Sequence, residues 1–146
     1  MTYVPYEKVT GFNTVNWMLE CALGVKHTEK DLPSKLDRAL TGCAASYNLF
    51  SKHDGEIAEI EGLPEIEKTP GVFIDIPKRV GNTVRLNACM GLLGIYGENI
   101  EEVCKRLAKV NSLLRITNRN GENMFIYFDD YESLRQEYYI GLEQFK

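Results

Sequence analysis

The stretch "LFSKHDGEIAEIEGLPEIEKTPGV", residues 49 to 72, decides the reading of the fold. Asp54-Gly55 supplies turn chemistry between two apolar-patterned runs, "GCAASYNLFS" before it and "EIAEIEGL" after it, and so predicts a β-hairpin. "LPEIEKTPG" then reads as a short helical turn or loop, because Pro64 can open a turn whereas Pro70 and Gly71 stop it. In "GVFIDIP", Val72, Ile74 and Ile76 alternate with Phe73 and Asp75, which predicts a third strand ended by Pro77.

Downstream, "KRVGNTVRLN" is polar around Gly81-Asn82, and "MGLLGIYG" is a short apolar strand. A helix opens at Asn99, with Glu101 and Glu102 in its first turn opposing the helix dipole, and its apolar stripe is Ile100, Val103, Cys104, Leu107 and Val110. "LLRITN" predicts a strand, "NRNG" a turn and "NMFIYF" one more strand. Asp129 or Asp130 then caps a tail helix with the stripe Tyr131, Leu134, Tyr138, Leu142 and Phe145. Upstream, Asn13 caps a helix in which Val15, Met18, Leu19 and Ala22 recur at helical spacing until Gly24 offers a left-handed stop, followed by a polar connection with Pro33. The sum is an α+β fold, an antiparallel β-sheet with hairpins and about three helices, in a single domain over residues 1 to 146.

Composition agrees with one domain: 146 residues, 44% hydrophobic and 26% charged, suffice for one core. A net charge of -4 opposes a polyanion-binding surface, which needs many unopposed Lys and Arg, so nucleic acid is not the expected partner. No apolar run approaches the ~20 residues of a membrane span. Cys21, Cys43, Cys89 and Cys104 form no CxxC pair, and no secretory apolar segment opens the chain, so a reduced, cytoplasmic setting is expected. Each cysteine has apolar neighbours and is expected to be buried.

Catalytic signatures are missing: the sequence has no phosphate-binding GxxxxGK[ST] loop, no GxGxxG after a strand, no HExxH helix and no GxSxG elbow. His27 and His53 match no familiar zinc spacing with the cysteines, lie beside none of them, and are explained as surface residues. Glu56, Glu59, Glu61, Glu65 and Glu67 could be offered to Mg²⁺, but alternating acids are more simply the solvated face of a hairpin. "PKRVGNTVR" could meet a phosphate or carboxylate through Arg79 and Arg85, although a solvated turn is the simpler reading.

Three blocks resemble a known family. "EKVTGFNTVNWMLECALG" resembles the segment of ATP-grasp ligases in which a T-G-V/F-D/N turn opens a helix ending in A-L-G. "LFSKHDGEIAEIEGLPEIEKTPGV" resembles their next stretch, and "GLLGIYGENIEEVCKRLAKVNSLLRI" their closing strand, helix and strand. The blocks fall in the family's order over residues 6 to 117, leaving 118 to 146 as a tail with a terminal helix. The resemblance is greatest to the C-terminal domain of carboxylate–amine ligases related to carbamoyl-phosphate synthase and biotin carboxylase. Where many relatives carry Arg or Lys near the start of the "MGLLGIYG" strand, this chain has Met90, Leu92 and Leu93.

The resemblance implies a C-terminal accessory domain that follows the strand carrying the family's Mg²⁺-binding Glu and Asn. No cofactor is expected in this chain, whereas the parent enzyme would use ATP and Mg²⁺ to form a C–N bond through an acyl phosphate. The implied partners are ATP-grasp nucleotide-binding lobes, in the same chain or a separate subunit, with a homodimer as a further expectation if Tyr131, Tyr138 and Phe145 are exposed. Substrate-side contacts would come from Arg79, Arg85 and Asn87. The alternative is a free-standing small-ligand-binding or regulatory dimerisation module. An independent cysteine enzyme ranks last.

Overall fold

The structure is a computed structural model and describes residues 3–32 and 42–144. Pro33, Phe145 and the side chain of Leu142 lie outside the described part. In chain order the elements are α1 (Tyr3–Thr10), α2 (Thr14–Ala22), a 3-10 turn (Glu29–Asp31), β1 (Cys43–Phe50), β2 (Gly55–Glu61), α3 (Leu63–Glu67), β3 (Val72–Asp75), β4 (Thr83–Val84), β5 (Cys89–Gly97), α4 (Ile100–Leu113), β6 (Arg115–Asn118) and α5 (Tyr131–Gln144). The fold is α+β with antiparallel sheets.

β5 organises the first sheet. Met90, Leu93 and Ile95 are fully buried, so this strand needs a neighbour on each side. β1 pairs with one edge, from Cys43 opposite Gly97 to Phe50 opposite Cys89, and β3 with the other, from Val72 opposite Ile95 to Asp75 opposite Leu92. The second sheet has the order β4-β2-β6.

This arrangement corrects the expected hairpin at Asp54-Gly55, because β1 and β2 lie in different sheets. The turn chemistry is spent elsewhere: the Asp54 carboxylate accepts from the Leu86 amide at 2.6 Å. Ser51, wholly buried, donates its amide to the Ala88 carbonyl at 2.9 Å and accepts from the Asn87 amide at 2.7 Å, while Lys52 donates to Met124 at 2.9 Å. The chain thus turns a corner from one sheet to the other, since pairing with the apolar β5 stabilises β1 more than a local hairpin would. The expected strand at "NMFIYF" is reduced to bridges, Ser51 with Phe125 and Thr117 with Asn123.

α4 follows its sequence pattern. Asn99 accepts from the Glu102 amide at 3.0 Å, and Ile100, Val103, Cys104, Leu107 and Val110 are buried beneath β1 and β5. Each such side chain contributes about 1.5–3 kcal/mol by burial. Asp130 caps α5, accepting from the Ser133 amide at 3.0 Å, and Tyr131, Leu134 and Tyr138 pack against the core. The tail helix therefore sits on its own chain, and the exposed large apolar side chains described on it are Tyr139 and Ile140 rather than Tyr131 and Tyr138.

α1 was not foreseen. Pro5 stands in its first turn, where a missing N–H costs nothing, and the helix lies across the face of β1 and β5 opposite α4. Two of the four cysteines also depart from expectation: Cys43 and Cys104 are buried, but Cys21 and Cys89 are exposed.

Candidate functional site

Arg79, Arg85 and Asn87 all fall on the connection between β3 and β5, and all three are exposed. The connection is two successive turns, because β4 between them pairs with β2. In the first turn the Asn82 amide donates to the Arg79 carbonyl at 3.0 Å, and Gly81 takes a φ of +88°. The Arg79 guanidinium donates to the backbone carbonyls of Ile76 and Lys78, so part of its donor fork is already used inside the loop.

In the second turn the Ala88 amide donates to the Arg85 carbonyl at 2.9 Å, and Asn87 has a φ of +62°. Asn tolerates this left-handed conformation better than other non-glycine residues, which accounts for Asn87 without a ligand. No hydrogen bond or ion pair joins Arg79, Arg85 and Asn87 to one another among the described residues.

The acidic positions do not converge either. Glu56 pairs with Arg119 at 2.7 Å, and Glu59, Glu61, Glu65 and Glu67 are exposed. Among the described residues no group of three or more His, Cys, Asp or Glu side chains could hold a metal ion. His27 packs on Trp17, with ring centroids 5.3 Å apart, and meets Glu20 at 3.2 Å. The Cys43 thiol is pushed up to about 11, mainly by burial, and Cys104 is raised by the same cause, so neither is poised as a nucleophile. Among the described residues, these side chains do not converge into a site that would fit ATP with Mg²⁺.

A different surface stands out. α2 is capped by Asn13, which accepts from the Asn16 amide at 2.7 Å, yet none of its residues is buried. Its apolar side chains face solvent: Val15 is 38% exposed, Met18 62% and Leu19 57%, with Leu23 at 83% and Val25 at 49% just beyond the helix. Five large apolar side chains within eleven residues make a patch of the kind that marks contacts. The periodicity reported the stripe but not its exposure, since a pattern shows which face is apolar and not what covers it.

The sequence matches no protein-family model and no curated protein. Solved structures do share its fold. An L-amino acid ligase from Bacillus licheniformis superimposes with a TM-score of 0.66 at 18% identity, over 80% of this chain and 29% of that one. A biotin carboxylase from Campylobacter jejuni, in a complex described as beta-gamma-ATP, gives 0.61 at 16% identity, over 89% of this chain and 28% of its own. The biotin carboxylase subunit of a pyruvate carboxylase gives 0.56 at 17% identity, over 77% and 25%. The chain thus shares its fold with a part of each of these structures, and it spans less than a third of the length of each. Among the described residues no helix is long and apolar enough to cross a membrane.

Proposed function

We propose that the chain is the C-terminal accessory domain of an ATP-grasp ligase that forms a C–N bond through an ATP-derived acyl phosphate. ATP and Mg²⁺ would be held by the parent's nucleotide-binding lobes, and this domain would pack on that catalytic body and help close the substrate cleft. Its setting would be cytoplasmic. Arg79 and Arg85 would face the substrate as carboxylate or phosphate contacts, on a loop shaped by the Asn87 turn.

The observation that carries this reading is α2, a capped helix whose whole apolar stripe lies outside the core. A free-standing domain gains nothing from such a face, whereas a domain docked on a larger body buries it. The fold shared with parts of three much longer ligase chains supports the same reading.

The test uses a dye that fluoresces on exposed apolar surface. The chain should bind it, and Met18→Glu with Leu19→Glu should abolish binding without lowering the melting temperature. Adding an ATP-grasp lobe encoded beside this chain should suppress dye binding in the same way. Dye binding that survives both treatments would contradict the docking role.

A further inference from the structure

β3 lies at an edge of the first sheet, and one hydrogen bond fixes which of its backbone groups face outward. The Tyr96 amide donates to the Gly71 carbonyl at 2.9 Å, so Gly71 turns its polar groups towards β5. Such groups alternate from side to side along an antiparallel strand, so Phe73 and Asp75 do the same, while Val72, Ile74 and Ile76 turn theirs away. Two outward groups are used at the ends. The Val72 amide donates to the Thr69 carbonyl at 3.2 Å, and the Ile76 carbonyl accepts from the Arg79 guanidinium. Between them, the Val72 carbonyl, both groups of Ile74 and the Ile76 amide have no hydrogen-bond partner among the described residues.

A groove of about 180 Å³ lies beside these groups, lined by Glu67, Val72, Phe73 and Ile74. Glu67 and Asp75 are exposed, and neither is in an ion pair among the described residues. Pro70 and Pro77 stand just outside the run from Gly71 to Ile76. They keep a long strand from adding here but take no donor from the edge between them.

We propose that this edge binds a short, basic, extended segment of another polypeptide as an added strand, antiparallel like the rest of the sheet. A five-residue segment whose third residue faces Ile74 makes four backbone hydrogen bonds. Two are exchanged with Ile74, one runs from its fifth amide to the Val72 carbonyl, and one runs from the Ile76 amide to its first carbonyl. A peptide backbone carries donors and acceptors at this spacing, which a small cation does not. The second side chain of the segment faces Asp75, and the third lies on the side of Ile74, by the groove that Glu67 lines. Opposite charge therefore selects lysine or arginine at both positions, and a β-branched residue suits the fourth, which faces Phe73. This inference does not depend on the ligase reading, because it uses the edge of β3 and not the face of α2.

The test titrates an acetylated, amidated pentapeptide, Thr-Lys-Lys-Val-Thr, into the isotope-labelled chain and follows its amides by NMR. The Ile74 and Ile76 amide signals should shift saturably, and their hydrogen exchange should slow. Two N-methylated peptides read the register. A methyl group on the third nitrogen removes a bond to Ile74 and should abolish binding, whereas one on the fourth, whose N–H points away from β3, should leave binding unchanged. Glu67→Gln with Asp75→Asn, at two exposed side chains, should weaken binding roughly tenfold. Ile74 and Ile76 amides that do not respond, equal loss from the two methylations, or equal binding of a peptide with both lysines replaced by glutamate would each overturn the proposal.

Discussion

Gly94→Ala should unseat α1. Gly94 lies in β5 opposite Ser46 and Phe73, and α1 crosses directly over it. A Cβ at this position would fall 2.7 Å from Pro5 Cγ, 3.3 Å from Pro5 Cδ and 3.8 Å from Phe73 Cβ. Carbon atoms prefer separations of about 3.5–4.0 Å, and a proline ring fixed to a helix backbone cannot rotate aside, so the helix must move. Overpacking of this kind costs about 1–3 kcal/mol, offset by about 0.4–1 kcal/mol because alanine restricts the unfolded chain, so a net loss of roughly 1–2 kcal/mol is expected. Pro5→Ala removes both ring carbons involved. In that background Gly94→Ala should cost nothing, a coupling of about 1–2 kcal/mol, within the range for residues in contact. Urea denaturation followed by circular dichroism gives the four stabilities, and amide exchange in α1 shows whether the helix has lifted. An equal cost in both backgrounds would refute the packing argument, as would stabilisation of the parent chain by Gly94→Ala.

Leu107→Ala, at a side chain 1% exposed on α4, should destabilise the chain by about 2–5 kcal/mol in urea unfolding, through lost burial and the cavity left behind. A thiol reagent should modify Cys21 and Cys89 in the native chain and reach Cys43 and Cys104 only in denaturant; four equally fast thiols would contradict the burial of the second pair. Asp130 is lowered from its ordinary 3.8 first by the Ser133 amide, and Glu122 from 4.5 first by the Asn118 side chain. A carboxylate depressed by folding contributes stability above its unfolded value and loses it as pH falls through the folded one, so the melting temperature should decline as pH drops below 4.5 and then 3.8. Asp130→Ala should lower the melting temperature at neutral pH and flatten that decline; an unchanged acid limb would contradict the capping role.

Local chemistry was legible in the sequence where its partner is also local. Asn99 and Asp130 each cap within three residues, and the period that follows Asn99 named every buried side chain of α4. Asp54-Gly55 misled because turn chemistry says that the chain bends and not which strands then pair; β5, far along the chain, claimed β1. The corner residues Ser51 and Lys52 are bound by Asn87, Ala88 and Met124, contacts that no periodicity reports. α1 escaped notice because Pro5 interrupts its apolar pattern, and its seat depends on the missing side chain of Gly94. For the candidate site, the basic residues were found but their separation into two turns was not, since Arg79 and Arg85 are six apart in sequence and divided by a strand paired elsewhere. The apolar face of α2 was visible as a pattern, whereas its exposure depends on what the rest of the chain fails to cover.

The accessory role proposed for this chain leaves the nucleotide chemistry to residues outside these 146. Calorimetric titration of the purified chain with ATP and Mg²⁺ tests it most directly. No binding heat above dilution is expected. Saturable binding would place a nucleotide site within this chain and contradict the accessory role proposed for it.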